Sequence, residues 1–382
     1  MLRLKFRYIV LMAIFFMVLL TSLWANNIYL IVLFSLLIYV YIPIKKYWDV
    51  QCGLLFVFSF IYSAMALMTN QYGSGFMLIS YLIAPVAFYR FGQWLLSYFT
   101  DEDARQKLLL CIMATYLSPL IIMTFIDISL VGIVNESRVM LSDMSDGESL
   151  AATLYGLMAS IGIGAIASLL VKNQKACLRW GYILLSLLSS LIVIHLVNRT
   201  GIVILLTCIL VSFMISIRTD ARKVFSSVIL LCIIAVVLTK TGVITDDIIN
   251  AYQQRELDSS VDAAQLGGRI AIWNDSLSKL LTHPLGWNRL QYAHNMWLDI
   301  GRIGGWISLF LFLSVTLAWV RSIIKLLFHN KSTFVSIIIS VNVSIFFASF
   351  VEPVIDASIL YFVLLLMIWG MTIGLSKEKR RV

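Results

Sequence analysis

Charge is what this chain has least of. Only 13% of its 382 residues are Asp, Glu, Lys or Arg, about half the share usual in a water-soluble domain. Apolar residues make up 60% of it and the mean hydropathy is +0.93, which excludes an ordinary soluble domain and leaves an integral membrane protein. Cysteine is sparse as well. Cys52, Cys111, Cys177, Cys208 and Cys232 form neither a disulfide framework nor a metal motif. With no Walker loop, HExxH or Cys cluster, neither a nucleotide cofactor nor a catalytic metal is expected. Internal repeats are missing and ionisable residues are nearly absent from the middle of the apolar runs, which argues against a coupled transporter. The net charge of +9 does not indicate nucleic acid, because the basic residues fall between apolar runs rather than along one polar face. Topology and anionic lipid headgroups explain them better.

What is abundant is apolar sequence in lengths that match a hydrocarbon core of roughly 30 Å. Runs near 8–25, 28–44, 52–69, 75–96 and 107–126 precede the first sizeable polar loop. Others follow near 150–171, 179–198, 200–217, 223–241, 302–321, 333–350 and 357–375. The expectation is an all-α polytopic membrane protein with about 12 transmembrane helices. The N-terminal MLRLKFR and the run after it lack a small-x-small cleavage site, so this segment is expected to remain as the first span. If the N-terminus is cytoplasmic, 21 of the 29 Lys and Arg residues lie on the inner side. That bias fits the positive-inside rule and puts both termini in the cytoplasm. The chain then divides into residues 1–241 with nine spans, an outer loop at 242–301, and residues 302–382 with three spans and a basic tail. A second outer loop covers 127–149. Within the large loop, the segment from Thr245 to Gly268 reads as short amphipathic helices at the membrane surface.

Chemistry is expected on the outer side, where basic residues are fewest yet oddly placed. Arg199, in HLVNRTGIV, lies between two apolar runs, one helical turn after His195. Arg269 opens an amphipathic helix, GGRIAIWNDSLSKLL, with Ile270, Trp273, Leu277 and Leu280 or Leu281 at helical spacing. An arginine is unfavourable beside the positive end of a helix dipole, so an anion is expected to share that position. A helix starting near Asn295 places Asn295, Asp299 and Arg302 on one face, with Gly301, Gly304 and Gly305 allowing a neighbouring helix to approach. His294, at the start of that helix, is a candidate base near neutral pH. His283 reads as a turn residue, and Arg289 adds one more cation to the loop. Together the arginines suggest bidentate grip of a phosphate or pyrophosphate, with a histidine near the reacting hydroxyl.

At these residues the chain resembles the O-antigen ligase and O-antigen polymerase superfamily of bacterial envelope enzymes. The matching pieces are Asn198-Arg199-Thr200-Gly201, Arg269-Ile270-Ala271-Ile272-Trp273 followed by His283-Pro284-Leu285-Gly286, and His294-Asn295 with Gly305. The likeness covers roughly 150–375, and Ser308 stands where many members carry a second glycine. The resemblance implies a metal-independent, inverting glycosyltransferase in the inner membrane, acting on the periplasmic face. Its donor would be a glycan on undecaprenyl pyrophosphate and its acceptor a sugar hydroxyl, with a flippase and a chain-length regulator as partners and no nucleic acid. It further implies that Arg199 and Arg269 bind the donor pyrophosphate and that His294 takes the acceptor proton. Arg289, Asn295, Asp299, Arg302 and Glu352 would complete the substrate site, with Glu352 and Asp356 in the acidic FVEPVIDAS segment. The short link from Arg269 to His294 is closer to repeat-unit polymerases than to ligases of lipid A-core.

Overall fold

The computed structural model describes residues 2–23, 27–69, 75–138, 140, 151–171, 174–217, 246–258, 269–287, 292–329 and 332–378. All regular structure among them is helical. In chain order the helices are α1 (Leu2–Leu20), α2 (Asn27–Tyr41), α3 (Val50–Met68), α4 (Gly75–Tyr98), α5 (Glu102–Val131), α6 (Ala151–Ile163), α7 (Ala176–His195) and α8 (Arg199–Ile217). They are followed by α9 (Asp246–Asp258), α10 (Arg269–Thr282), α11 (Met296–His329), α12 (Thr333–Val351), α13 (Val354–Ala357) and α14 (Ile359–Glu378). Eight of the described helices are long and apolar enough to cross a membrane. Three shorter apolar stretches, Arg7–Leu20, Asn27–Tyr41 and Thr153–Leu169, fall where the sequence placed further spans. The run at 223–241 lies outside the described residues.

The chain forms two compact units. The first comprises Met1–Pro119, Arg269–His329 and Ser349–Val382, and the second Leu120–Gly268 and Asn330–Ala348. In the first, α14 is the central helix, with Leu360–Ile373 almost wholly buried. It crosses α4 at a pair of glycines. A Cβ on Gly92 would strike the carbonyl oxygen of Met367, and one on Gly370 would strike that of Tyr89, so each helix needs the other's missing side chain. Gly370→Leu should therefore drive the helices apart and lower the yield of folded protein in detergent by several-fold. Size-exclusion chromatography checks this, and a wild-type profile would contradict the packing. Further along, Trp319 of α11 stacks on Trp369 of α14 with centroids 4.6 Å apart, and Phe312 lies 5.6 Å from the same ring.

Charged side chains of this unit form two separate sets. At one end Asp49 caps α3 by accepting from the Cys52 amide at 2.9 Å. It also accepts from Gln93 Nε2 at 2.7 Å and meets Lys377 Nζ at 2.5 Å. Arg105 grips Glu378 with two nitrogens, at 2.7 and 3.1 Å. At the other end stand Arg269, His294, Arg302, Glu352 and Asp356, and Tyr81 of α4 donates to the Ile355 carbonyl. These two sets are the ends that the basic-residue count assigns to opposite faces of the bilayer.

In the second unit, α6 tightens into a 3-10 turn at Gly164–Leu169, and Ser344 of α12 donates to the Ser160 carbonyl of α6. Helices α7 and α8 are separate, joined by a turn in which Val197 takes a left-handed φ of 48°. Such a value is unusual for a β-branched residue. Asn198 relieves the junction by capping α8, its Oδ1 accepting from the Gly201 amide at 3.1 Å.

Candidate functional site

The site in the first unit is built on the start of α11. Asn295 caps that helix, its Oδ1 accepting from the amides of Trp297 at 3.1 Å and Leu298 at 3.2 Å. Its Nδ2 donates to the Phe350 carbonyl at 3.0 Å, which ties the cap to the end of α12. Asp299 reaches back to the Ala293 amide at 2.8 Å and the Asn295 amide at 3.4 Å. His294 is held between these anchors with a left-handed φ of 50°, a strained conformation that persists only where surrounding contacts fix it. Trp273 of α10 adds another anchor by donating to the Ala293 carbonyl at 2.9 Å, and its ring meets Phe350 edge-on at 5.1 Å.

Arg269, His294 and Glu352 converge there. Arg269 Nη2 donates to Glu352 Oε1 at 3.2 Å, and His294 Nδ1 lies 4.0 Å from Glu352 Oε2. The anion expected beside Arg269 at the start of α10 is thus, in this structure, the protein's own carboxylate. Exposure is graded: the Glu352 side chain is 5% exposed, Arg269 23% and His294 33%. Burial, and then the neighbouring Arg269 charge, push the imidazole down to about 4. His294 is therefore neutral at neutral pH, with Nδ1 finding no hydrogen-bond partner among the described residues.

Asn295, Asp299 and Arg302 share one helix face, as the spacing requires. Arg302 is fully buried, however, and engaged by protein carboxylates. Its Nε lies 3.3 Å from Asp299 Oδ1 and its Nη2 2.6 Å from Asp356 Oδ2, with the guanidinium 5.6 Å from the Tyr292 ring centroid. Burial pushes the Asp356 carboxyl up while Arg302 pulls it down. In this geometry Asp299 and Arg302 position the His294 turn rather than face a ligand. Arg289 lies outside the described residues.

The HPLG and glycine segments form one device. Helix α11 is broken at Gly305, where φ is 65° and ψ is −168°. The loop after α10 fills the break: Trp306 N donates to the Pro284 carbonyl at 2.9 Å and Trp287 N to the Arg302 carbonyl at 2.8 Å. Gly286, at φ 105°, sits 2.8 Å in Cβ terms from the Arg302 and Ile303 carbonyls. The close approach expected at Gly305 is therefore made by a loop backbone, whereas Gly304 packs against Tyr62 of α3 and Ser308. His283 closes the turn, its carbonyl accepting from Gly286 N at 3.0 Å.

Arg199 stands in the second unit as the first residue of α8, half-buried. Behind it lies a polar cluster that sequence spacing did not reveal. His195 Nε2 is 2.7 Å from Asp127 Oδ2 and its Nδ1 is 2.9 Å from the Ile133 carbonyl. Asn135 donates to the same Asp127 oxygen at 2.7 Å, and its backbone amide donates to the His195 carbonyl at 2.8 Å. His195 and Asp127 are buried. The only sequence signal was an Asp within one turn of the end of an apolar run, which the loop boundary at residue 127 obscured.

The absence of a catalytic metal is expected in part because no Asp-x-Asp motif is read in the chain, but Asp101-Glu102-Asp103 has that spacing and opens α5 at the end opposite to His294. Asp101 serves there as a helix cap, accepting from the Ala104 amide at 2.9 Å. Among the described residues no group of three His, Cys, Asp or Glu side chains is placed to hold a metal ion. A scan of protein-family models and a search of curated proteins return no match to this chain.

Proposed function

We propose that the protein is a polysaccharide polymerase of the bacterial inner membrane, transferring a glycan from undecaprenyl pyrophosphate to a sugar hydroxyl of another lipid-linked repeat unit. The observation that carries this reading is the convergence of Arg269, Glu352 and a neutral His294 at one end of an apolar bundle. In the reaction the acceptor hydroxyl oxygen bonds to the anomeric carbon as the bond from that carbon to the pyrophosphate oxygen breaks. The pyrophosphate leaves with the electron pair, stabilised by Arg269. The hydroxyl proton passes to His294. The site faces the periplasm in this reading, and both termini are cytoplasmic. The bilayer itself supplies the donor, which suits a chain whose catalytic groups sit at the ends of apolar helices.

The polymerase assignment within the superfamily rests on the short link from Arg269 to His294. Deleting the gene tests it. Single-repeat glycan on the envelope supports a polymerase, accumulation of long undecaprenyl-linked polymer supports a ligase, and an unaltered glycan profile overturns both. Transfer by the purified protein should also proceed undiminished in excess chelator, because arginines and not a metal neutralise the leaving group. Inhibition reversed by a divalent cation would contradict that.

A further inference from the structure

We propose that Glu352 is a carboxylate that changes partner when the pyrophosphate donor binds, passing from Arg269 to His294 and so switching on the base. This rests on the donor reading above and deepens it. The geometry offers one carboxylate between two basic groups, with Oε1 3.2 Å from Arg269 and Oε2 4.0 Å from His294. The first contact is through a single guanidinium nitrogen and is longer than the 2.7–2.9 Å of a strong charge-assisted bond, so it is readily exchanged. Phosphate oxygens can take the same guanidinium bidentately, and at 23% exposure Arg269 is within reach of a ligand while Glu352, at 5%, is not.

The second contact needs to close by only about 1 Å to become a hydrogen bond. The left-handed turn at His294, fixed by Asn295 and Trp273, keeps Nδ1 aimed at Oε2. Among the described residues, the groups facing His294 are Arg269 from α10, Glu352 from the end of α12 and the Tyr292 ring, 6.5 Å away on its own segment. Asp299, Arg302 and Asp356 are engaged with one another. Before the donor binds, burial and Arg269 hold the imidazole at about 4. Once phosphate charge neutralises Arg269 and Glu352 accepts the Nδ1 proton in a hydrogen bond, Nε2 becomes a stronger base. It then takes the acceptor hydroxyl proton while the sugar–oxygen bond forms and the pyrophosphate departs. The base thus gains its strength only after the leaving group is gripped.

The test is an NMR titration of labelled histidine in the full-length protein in nanodiscs, with farnesyl diphosphate as probe. The chain has four histidines, and His294→Asn identifies the resonance. The midpoint of His294 should rise by at least about one pH unit with the probe. In Glu352→Gln the probe should still bind and the rise should shrink to the part that comes from neutralising Arg269, and Glu352→Asp should give a rise between that and wild type. A probe that binds through Arg269 and leaves the wild-type midpoint unchanged overturns the proposal, as does an undiminished rise in Glu352→Gln. A probe whose binding is indifferent to Arg269→Ala removes the donor reading and the switch with it.

Discussion

Arg269→Ala is expected to lower glycan transfer by about 10³-fold, the scale of losing one preorganised charge at a leaving group, while leaving the protein folded and inserted. The side chain is partly exposed at the first residue of α10, and its ion pair with Glu352 is 3.2 Å long. A partly exposed pair of that kind contributes little to stability. Its position at the positive end of a helix dipole makes it more useful to a bound anion than to the helix. Lysine should restore only a small part of the rate, because an ammonium does not reproduce the bidentate fork. His294→Ala should cost about 10²- to 10⁴-fold, mainly in kcat, as expected for a base. The check is the rate of transfer from a prenyl-diphosphate-linked repeat unit by purified variants whose chromatographic profiles match wild type. Unchanged transfer in Arg269→Ala would remove the central cation from the account.

Arg302→Met is expected to act on stability, with a loss of about 3–5 kcal/mol, the cost of leaving buried charge uncompensated. Methionine fills much of the volume but leaves Asp299 and Asp356 facing one another without the guanidinium that joins them at 3.3 and 2.6 Å. Asp299 also holds the amides of Ala293 and Asn295, so its displacement loosens the His294 turn. Adding Asp299→Asn and Asp356→Asn should recover part of the loss, since an uncharged cluster needs no counterion. Thermal unfolding in detergent measures this. A loss below about 1 kcal/mol would show that the cluster does not hold the site.

Much of the architecture was legible because a bilayer leaves few choices. A run of apolar residues of the right length must satisfy its own backbone bonds, and the helix is the simplest way to do so. The amphipathic spacing from Arg269 to Leu281 and the cap at Asn295 were equally readable, since both depend on neighbours within one or two turns. In the structure α10 turns Leu280 and Ser276 inward and leaves Ile270, Leu277 and Leu281 of the expected apolar face exposed. What was not legible depends on long-range pairing. Arg302 reads as a ligand-binding cation until Asp356, far along the chain, is seen to occupy it. Gly305 reads as a helix-packing glycine until the Pro284 carbonyl is found filling a broken helix. His195 reads as a companion of Arg199 until Asp127 and Asn135 enclose it. Glu352 was legible as an acidic residue at a span end, but its place between Arg269 and His294 is set by the approach of α12 to the start of α11.

The most direct measurement is reconstitution. Purified protein in vesicles, given only an undecaprenyl-pyrophosphate-linked repeat unit and no nucleotide or metal, should produce longer lipid-linked glycans. One undecaprenyl pyrophosphate should be released for each new glycosidic bond, and His294→Ala protein should yield neither product. Folded wild-type protein that leaves the repeat unit unextended, with no undecaprenyl pyrophosphate released, would contradict the account.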